Sequence, residues 1–378
     1  MFLREHQAKF ILSSFGISIP KGHIITKVED ICIASTKLGK ETVLKAQVPV
    51  GGRGKAGGIK FASSEKEAEE CLRTMLGSQL KGYPVTEVLI EETLDIQAEY
   101  YVGVITDTVK SCPLVIVSTQ GGMDIEEVAR ESPQAVVRIA VDPYFGLTDY
   151  QTRFLVNRAG FEKPIKDKIA KWLQQLYRVY WETDAQLVEI NPLVLTADGN
   201  LVAADAKMVI DDNALFRHSL ISELRVLSEP ELKAETANIN YVPLDGEIGI
   251  IGTGAGMAMA IMDQVAFFGG KPANFMDVGP GINNGGGRVG LDILLRRPEL
   301  KGILISGYSG GRLELFASDI VATLAEHVTA KLPIVVRLQG INDDEAQEIL
   351  QQCPYENLHF SQGFDEAALK IVELSKKE

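Results

Sequence analysis

Residues 248–256, Ile248-Gly249-Ile250-Ile251-Gly252-Thr253-Gly254-Ala255-Gly256, read as a buried strand, a glycine turn and the opening of a helix. The unit recurs to the end of the chain: further apolar runs lie at 275–278, 302–306, 333–337 and 358–360, and amphipathic segments such as 313–326 and 365–376 follow them. Short apolar runs alternating with helices predict crossover connections, hence a doubly wound parallel α/β domain of about five strands. The glycine turns 252–256, 279–287 and 306–312 then fall at the carboxyl ends of strands, where such sheets bind ligands, and two lead into helix N-termini that favour anions. A carboxylate or phosphate site is expected there. The first turn also has the outline of a dinucleotide fingerprint, with Asp277 about twenty residues on, although Met257 stands where its third glycine belongs. An NAD-dependent oxidoreductase is therefore a second reading, and a turn that merely packs strand against helix is the plainer one.

Upstream the pattern is mixed. Helix-like stretches at 3–15, 28–38, 65–76 and 165–182 interleave with strand-like ones at 42–47, 87–91, 100–106, 113–118 and 136–141. Several neighbouring strands are too close in sequence for crossovers, which predicts antiparallel pairing in an α+β domain. Segments 186–195 and 200–208 flank Ala197-Asp198-Gly199, a turn signal that makes them a hairpin. A helix-like stretch at 215–227 precedes polar residues 228–237, where the boundary is placed, giving domains at 1–235 and 240–378.

The 378 residues suffice for two domains with their own cores. A net charge of −13 repels phosphate backbones and anionic lipid, so neither nucleic acid nor a membrane is an expected partner. No stretch approaches the roughly 20 apolar residues of a membrane span. The first residues mix charge where a secretory signal needs an apolar run, and Cys32, Cys71, Cys112 and Cys353 form no CxxC pair. A cytoplasmic protein is expected.

The densest chemical signal is Lys45 at the end of an apolar run, followed by Gly51-Gly52-Arg53-Gly54-Lys55-Ala56-Gly57-Gly58. Glycines let backbone N–H groups approach an anion while Arg and Lys neutralise it, so polyphosphate is the natural ligand; a flexible hairpin tip would carry the same residues. The spacing is not that of a Walker A loop. In the hairpin, Glu189 and Asn191 share a strand face, and Asp205 on the returning strand is placed to meet them. Such hard oxygen donors suit Mg²⁺ shared with substrate phosphates, although a solvated polar face is an equal reading. Asp211 and Asp212 read as a helix N-cap. Glu91 and Glu99 end and open strands, which by themselves favour solvent-facing termini. The five histidines are scattered and no nucleophile–base pair stands out, which suggests a nucleophile supplied from elsewhere.

Five ordered blocks resemble the β subunit of succinyl-CoA synthetase: Glu5-His6-Gln7-Ala8-Lys9, Lys45-Ala46-Gln47-Val48 with 51–58, Glu189-Ile190-Asn191-Pro192-Leu193-Val194, Asp212-Asn213-Ala214-Leu215-Phe216-Arg217, and Pro272-Ala273-Asn274-Phe275-Met276-Asp277-Val278-Gly279. The likeness runs essentially end to end. It implies an α+β ATP-grasp domain followed by a doubly wound, flavodoxin-like CoA-ligase domain, in an αβ or α2β2 complex with an α subunit. In that family ATP or GTP phosphorylates a histidine of the α subunit, the phosphate passes to a carboxylic acid, and CoA attacks the acyl phosphate. The resemblance places Lys45, Gly52, Arg53 and Gly54 at the nucleotide phosphates, with Lys45 and Arg53 in the catalytic role. It places Glu91, Leu94 and Glu99 at the nucleotide hinge, and Asn191 and Asp205 on Mg²⁺.

The substrate loops depart from the family pattern. Thr253 stands where the family typically has Asn, and Ser306-Gly307-Tyr308-Ser309-Gly310-Gly311-Arg312 replaces Asn-Ile-Phe-Gly-Gly-Ile-Val. The resemblance makes Thr253, Gly310, Gly311 and Arg312 the acid-binding positions. An added Arg offers a fork to a further carboxylate, so succinate is the first expectation and malate or a citrate-like acid the alternatives. Pro49 stands where many relatives have His. A non-catalytic regulatory subunit is disfavoured by the intact Lys45, Arg53, Asn191 and Asp205.

Overall fold

The computed structural model describes residues 1–31, 38–39, 41–309, 312–327 and 331–376. They form two units, Met1–Arg225 and Val226–Glu378.

The first unit is built on two antiparallel sheets. One has the order Gly22–Ile25, Val88–Glu92, Thr42–Ala46, Ile59–Ala62. The other runs Leu201–Ala203, Ala185–Thr196, Ile96–Asp107, Cys112–Ser118, Val136–Ala140, and Lys207–Ile210 also pairs with Ala185–Thr196. Every pair is antiparallel, as the short connections predict. The helix Lys163–Glu182 begins with a proline in its first turn, where a missing N–H costs nothing. Its Ile165, Ile169, Leu173 and Leu176 recur at helical spacing and pack on Val102, Val104, Val188 and Ile190 of the larger sheet. Each such side chain contributes about 1.5–3 kcal/mol by leaving water. The helix Glu5–Ser14 buries Ala8, Ile11 and Leu12, and buries Glu5 and Lys9 as well.

Two expectations change. The stretch 215–227 is not one helix: it holds the 3₁₀ segment Asp212–Arg217 and the short helix Ser219–Ser222. The polar stretch 228–237 instead contains the helix Glu229–Thr236, started by the Ser228–Glu231 capping box and Pro230. Asp211 does cap the 3₁₀ segment through Asn213 N–H, whereas Asp212 pairs with the amino terminus at 2.7 Å.

The second unit has one six-stranded sheet, ordered Asn240–Pro243, Asn274–Asp277, Ile248–Gly252, Gly302–Ser309, Ile334–Gly340, Leu358–Phe360. Its five parallel strands follow the flavodoxin-like order 2-1-3-4-5. The antiparallel edge strand Asn240–Pro243 is additional to the strands expected. Alternation sends Ile248, Ile250, Leu304 and Val335 to one face, against the helices Ala255–Phe267 and Phe364–Ser375. Ile251, Ile303, Ile305 and Val336 go to the other, against Gly286–Leu295, Leu313–Glu326 and Asp343–Gln351.

Candidate functional site

The glycine-rich stretch joins the antiparallel strands Thr42–Ala46 and Ile59–Ala62. It is a hairpin connection, yet not a loose one. The Arg53 carbonyl accepts from Ala56 and Gly58 N–H (3.1 and 2.9 Å), which curls the loop and turns the Arg53 side chain inward. Gly52 sits at φ +68°, and a Cβ on Gly58 would lie 2.6 Å from Leu80. Lys81 Nζ donates to Gly51 O at 2.7 Å, while the exposed Lys55 lies 3.8 Å from Glu127. The loop borders a cleft of about 920 Å³ that Lys45, Gly52, Arg53, Gly54, Glu91, Leu94, Glu99, Glu189, Asn191 and Asp205 all line.

Lys45 and Arg53 are buried, and carboxylates hold both. Lys45 Nζ lies 3.0 Å from Glu5 Oε1 and 2.7 Å from Glu91 Oε2. Arg53 is 2.8 Å from Glu5 Oε2 and 2.8 Å from Asp205 Oδ1. Lys9 Nζ completes the group at 2.8 Å from Glu5 Oε1 and 2.5 Å from Glu91 Oε1. Three cations thus face three carboxylates, which satisfies the rule that buried charges are paired. Burial opposes ionisation of Glu5, but Lys45, Lys9 and Arg53 outweigh it and hold its carboxyl well below the usual range. Burial likewise opposes the charge on Lys45, and Glu5, Glu91 and Asp205 nonetheless raise its pKa.

The hairpin places the oxygen donors. Ala185–Thr196 pairs with Leu201–Ala203 and again with Lys207–Ile210, and residues 204–206 break the returning strand opposite the cis Asn191-Pro192 bond. Asp205 therefore leaves the ladder and enters the cleft, its side chain 32 % exposed. Burial raises its pKa and so does Glu5, against the pull of Arg53, Lys45 and Lys9. Asn191 Oδ1 accepts from Gly122 N–H and its Nδ2 donates to Met123 O, both at 2.8 Å, which fixes the amide at the cleft wall. Burial raises the pKa of Glu189. Among the described residues no three His, Cys, Asp or Glu side chains group as a metal cage. One carboxylate and one amide oxygen, with Glu189 nearby, are hard donors that fit Mg²⁺ if phosphate oxygens and water supply the rest of its shell.

Glu91 is not a solvent-facing strand end, being 1 % exposed within the ion group. Leu94 adds an apolar wall with Val43, Phe61 and Ile96. Glu99 lies against the loop 120–123: its carbonyl accepts from Gly121 N–H at 3.1 Å, and a Cβ on Gly122 would fall 2.5 Å from Glu99 Oε2. Reasoning from sequence missed Glu5, Lys9 and this loop as parts of the site. The signals in the residues themselves were the i,i+4 spacing of the two charges on a helix and a Gly-Gly pair after a strand, and the block Glu5–Lys9 entered only as part of the family resemblance.

In the second unit, Gly252 meets the helix so closely that a Cβ would sit 2.8 Å from the Ala258 backbone. Asp277 Oδ1 accepts from Gly254 and Gly279 N–H, at 2.7 and 2.8 Å. The carboxylate that the NAD reading needs for a ribose is thereby used to join two turns. Thr253 Oγ1 donates to Tyr308 O (3.1 Å) and accepts from Tyr308 N–H (2.9 Å), bridging the two strands at the switch point of the sheet. Arg312, at φ +60°, is exposed and lies 3.3 Å from Glu314 Oε1, so no unpaired guanidinium is buried there. Gly310 and Gly311 lie outside the described residues.

Family models described as an ATP-grasp domain and as a CoA-ligase match residues 2–195 and 251–369. Fold and matches define the class: an ATP-grasp domain followed by a CoA-ligase domain. The chain is 44 % identical over 358 residues to the GDP-forming succinate–CoA ligase subunit β of Thermus thermophilus, covering 94 % of each chain. It is 42 % identical over 383 residues, and 100 % of each chain, to the ADP-forming subunit β 2 of Archaeoglobus fulgidus. The chain belongs to the family of succinate–CoA ligase β subunits. Its fold is shared with ATP citrate lyase from Methanothrix soehngenii, at a TM-score of 0.75 and 20 % identity over 100 % of this chain and 99 % of that one. No described helix is long and apolar enough to cross a membrane.

Proposed function

We propose that this chain is the nucleotide-binding subunit of a ligase that joins succinate to CoA at the expense of ATP or GTP, working with an α subunit that carries a phosphorylated histidine and the CoA site. One observation carries the reading: Lys45, Arg53, Asp205 and Asn191 line a single cleft, the combination of cations and hard oxygen donors that a metal–polyphosphate needs. Lys45 and Arg53 bind the phosphates and hold the leaving diphosphate, while Leu94 and Glu99 flank the base and sugar. Asn191 and Asp205 would hold Mg²⁺, which supplies charge neutralisation on the phosphate oxygens. The phosphoryl group passes to the partner's histidine, then to the acid's carboxylate, and the CoA thiol displaces phosphate to give the thioester, with the second unit serving that half of the reaction. The assembly is αβ or α2β2.

Succinate is the acid favoured by the curated relatives' names. Malate and a citrate-like acid are alternatives on the strength of Arg312 as an added fork, and in the structure that guanidinium is exposed and already paired with Glu314. The test is to purify the chain with its α subunit and follow labelled phosphate from ATP, and thioester formation with succinate, malate and citrate. A labelled partner histidine and preferred succinyl-CoA formation are expected. A complex that labels no histidine, or that uses citrate in preference to succinate, contradicts the reading.

A further inference from the structure

The nucleotide cleft has a charged residue behind it that the proposed chemistry leaves unused. Lys9 is 2 % exposed and, unlike Lys45 and Arg53, lines no part of the cleft. Its ammonium nevertheless repeats the partner set of Lys45. Lys45 Nζ contacts Glu5 Oε1, Glu91 Oε2 and the Ala204 carbonyl, the last at 2.6 Å. Lys9 Nζ contacts Glu5 Oε1 at 2.8 Å, both oxygens of Glu91 at 2.5 and 2.8 Å, and the same Ala204 carbonyl at 2.7 Å. Every acceptor that Lys45 would abandon on turning to a phosphate therefore keeps a cation.

This redundancy matters because a buried carboxylate left without a cation is costly, and two buried carboxylates lie here. Glu5 and Glu91 are shut away from solvent. Without Lys9, Glu91 would be left with Lys45 alone and Glu5 with Lys45 and Arg53, so Lys45 would be retained by them when polyphosphate arrives. The N-terminal helix that delivers Glu5 and Lys9 is itself docked around the cradle by Arg4–Glu87 at 2.7 Å and His6–Gln47 at 3.0 Å, so the pair is held in register with Lys45.

We propose that Lys9 is a positioning residue of the nucleotide site, the resident counter-ion that stays with Glu5 and Glu91 and so frees Lys45 to exchange its carboxylate partners for phosphate. The inference rests on the reading of Lys45 and Arg53 as phosphate ligands.

The test compares Lys9→Met, Lys9→Arg, the charge-neutral double variant Glu5→Gln/Lys9→Met and, as a control of the site itself, Arg53→Ala, each in complex with the α subunit. KM for Mg-ATP and thermal unfolding are measured for all. Lys9→Met is expected to raise KM for Mg-ATP about tenfold or more, the scale of a lost charge-assisted contact, and Lys9→Arg to restore most of it. Where Lys9→Met does not fold, the double variant carries the test, because Glu91 and Ala204 O still depend on Lys45 alone and KM remains raised. Lowered melting with wild-type KM in a folded Lys9→Met or double variant overturns the inference, since a merely structural lysine behaves that way. If Arg53→Ala also leaves KM unchanged, the phosphate reading fails with it; if Arg53→Ala raises KM and the Lys9 variants do not, only the role of Lys9 falls.

Discussion

Arg53 Nη2 stands 2.8 Å from Asp205 Oδ1, so the residue assigned to phosphate and the residue assigned to the metal hold one another within the cleft lining. A metal–polyphosphate would enter between them as a unit, its anion taken by the guanidinium and its cation by the carboxylate.

Asp205→Asn follows from that pairing. It removes the one anionic ligand of the assigned metal set and is expected to raise the Mg²⁺ concentration for half-maximal activity about tenfold or more. A Mg²⁺ titration of the purified complex reads the midpoint, and an unmoved midpoint assigns Asp205 to the hairpin alone.

Glu5 gives a pH prediction. Lys45, Lys9 and Arg53 overcome the burial penalty and hold its carboxyl well below the ordinary value of 4.5. A depressed pKa means stabilisation that is complete above the unfolded value and lost only as pH falls through the folded one. Glu5→Gln is therefore expected to cost about 3–5 kcal/mol, the usual result of breaking a buried ion group. The gap should be unchanged between pH 7 and pH 5 and close only in stronger acid. Trp172 and Trp181 both lie in the first unit, so tryptophan fluorescence in urea reports the relevant transition. A gap that keeps the same size down into strong acid would show a carboxyl with the same pKa folded and unfolded.

The glycine turn of the second unit is a packing device. Gly252→Ala places a Cβ 2.8 Å from the Ala258 backbone and is expected to cost about 1–3 kcal/mol. Circular dichroism during thermal unfolding measures it. A neutral substitution would mean that the strand–helix approach is looser than the geometry requires.

Arg312 is exposed and paired with Glu314, and its left-handed backbone suits glycine. Arg312→Gly is expected to change kcat/KM for succinate by no more than about twofold, the range of an exposed position. A selective gain for succinate over citrate would instead return Arg312 to the acid pocket.

The second unit was readable because its strands are short apolar runs between glycine turns, and 248–251 and 358–360 fall within or on the observed strands. The edge strand Asn240–Pro243 was not, since a half-exposed segment ending in proline has no apolar face to betray it. In the first unit the Asp198-Gly199 turn made the hairpin legible. The break at 204–206 was hidden because Ala204-Asp205-Ala206 preserves strand alternation. Lys45 and Arg53 announced themselves through their glycines. Glu5 and Lys9 did not, because charges at i,i+4 on a helix ordinarily mark a solvated face, and what buries them is Glu91, 82 positions from Lys9.

The most direct test of the proposed nucleotide site is calorimetric titration of Mg-ADP into the purified chain and into Arg53→Ala. Saturable, Mg²⁺-dependent binding at one site is expected for the wild type, weakened about tenfold or more in the variant. Absence of saturable binding to the wild type, or equal affinity of the two proteins, would contradict the assignment of the cleft between Arg53 and Asp205.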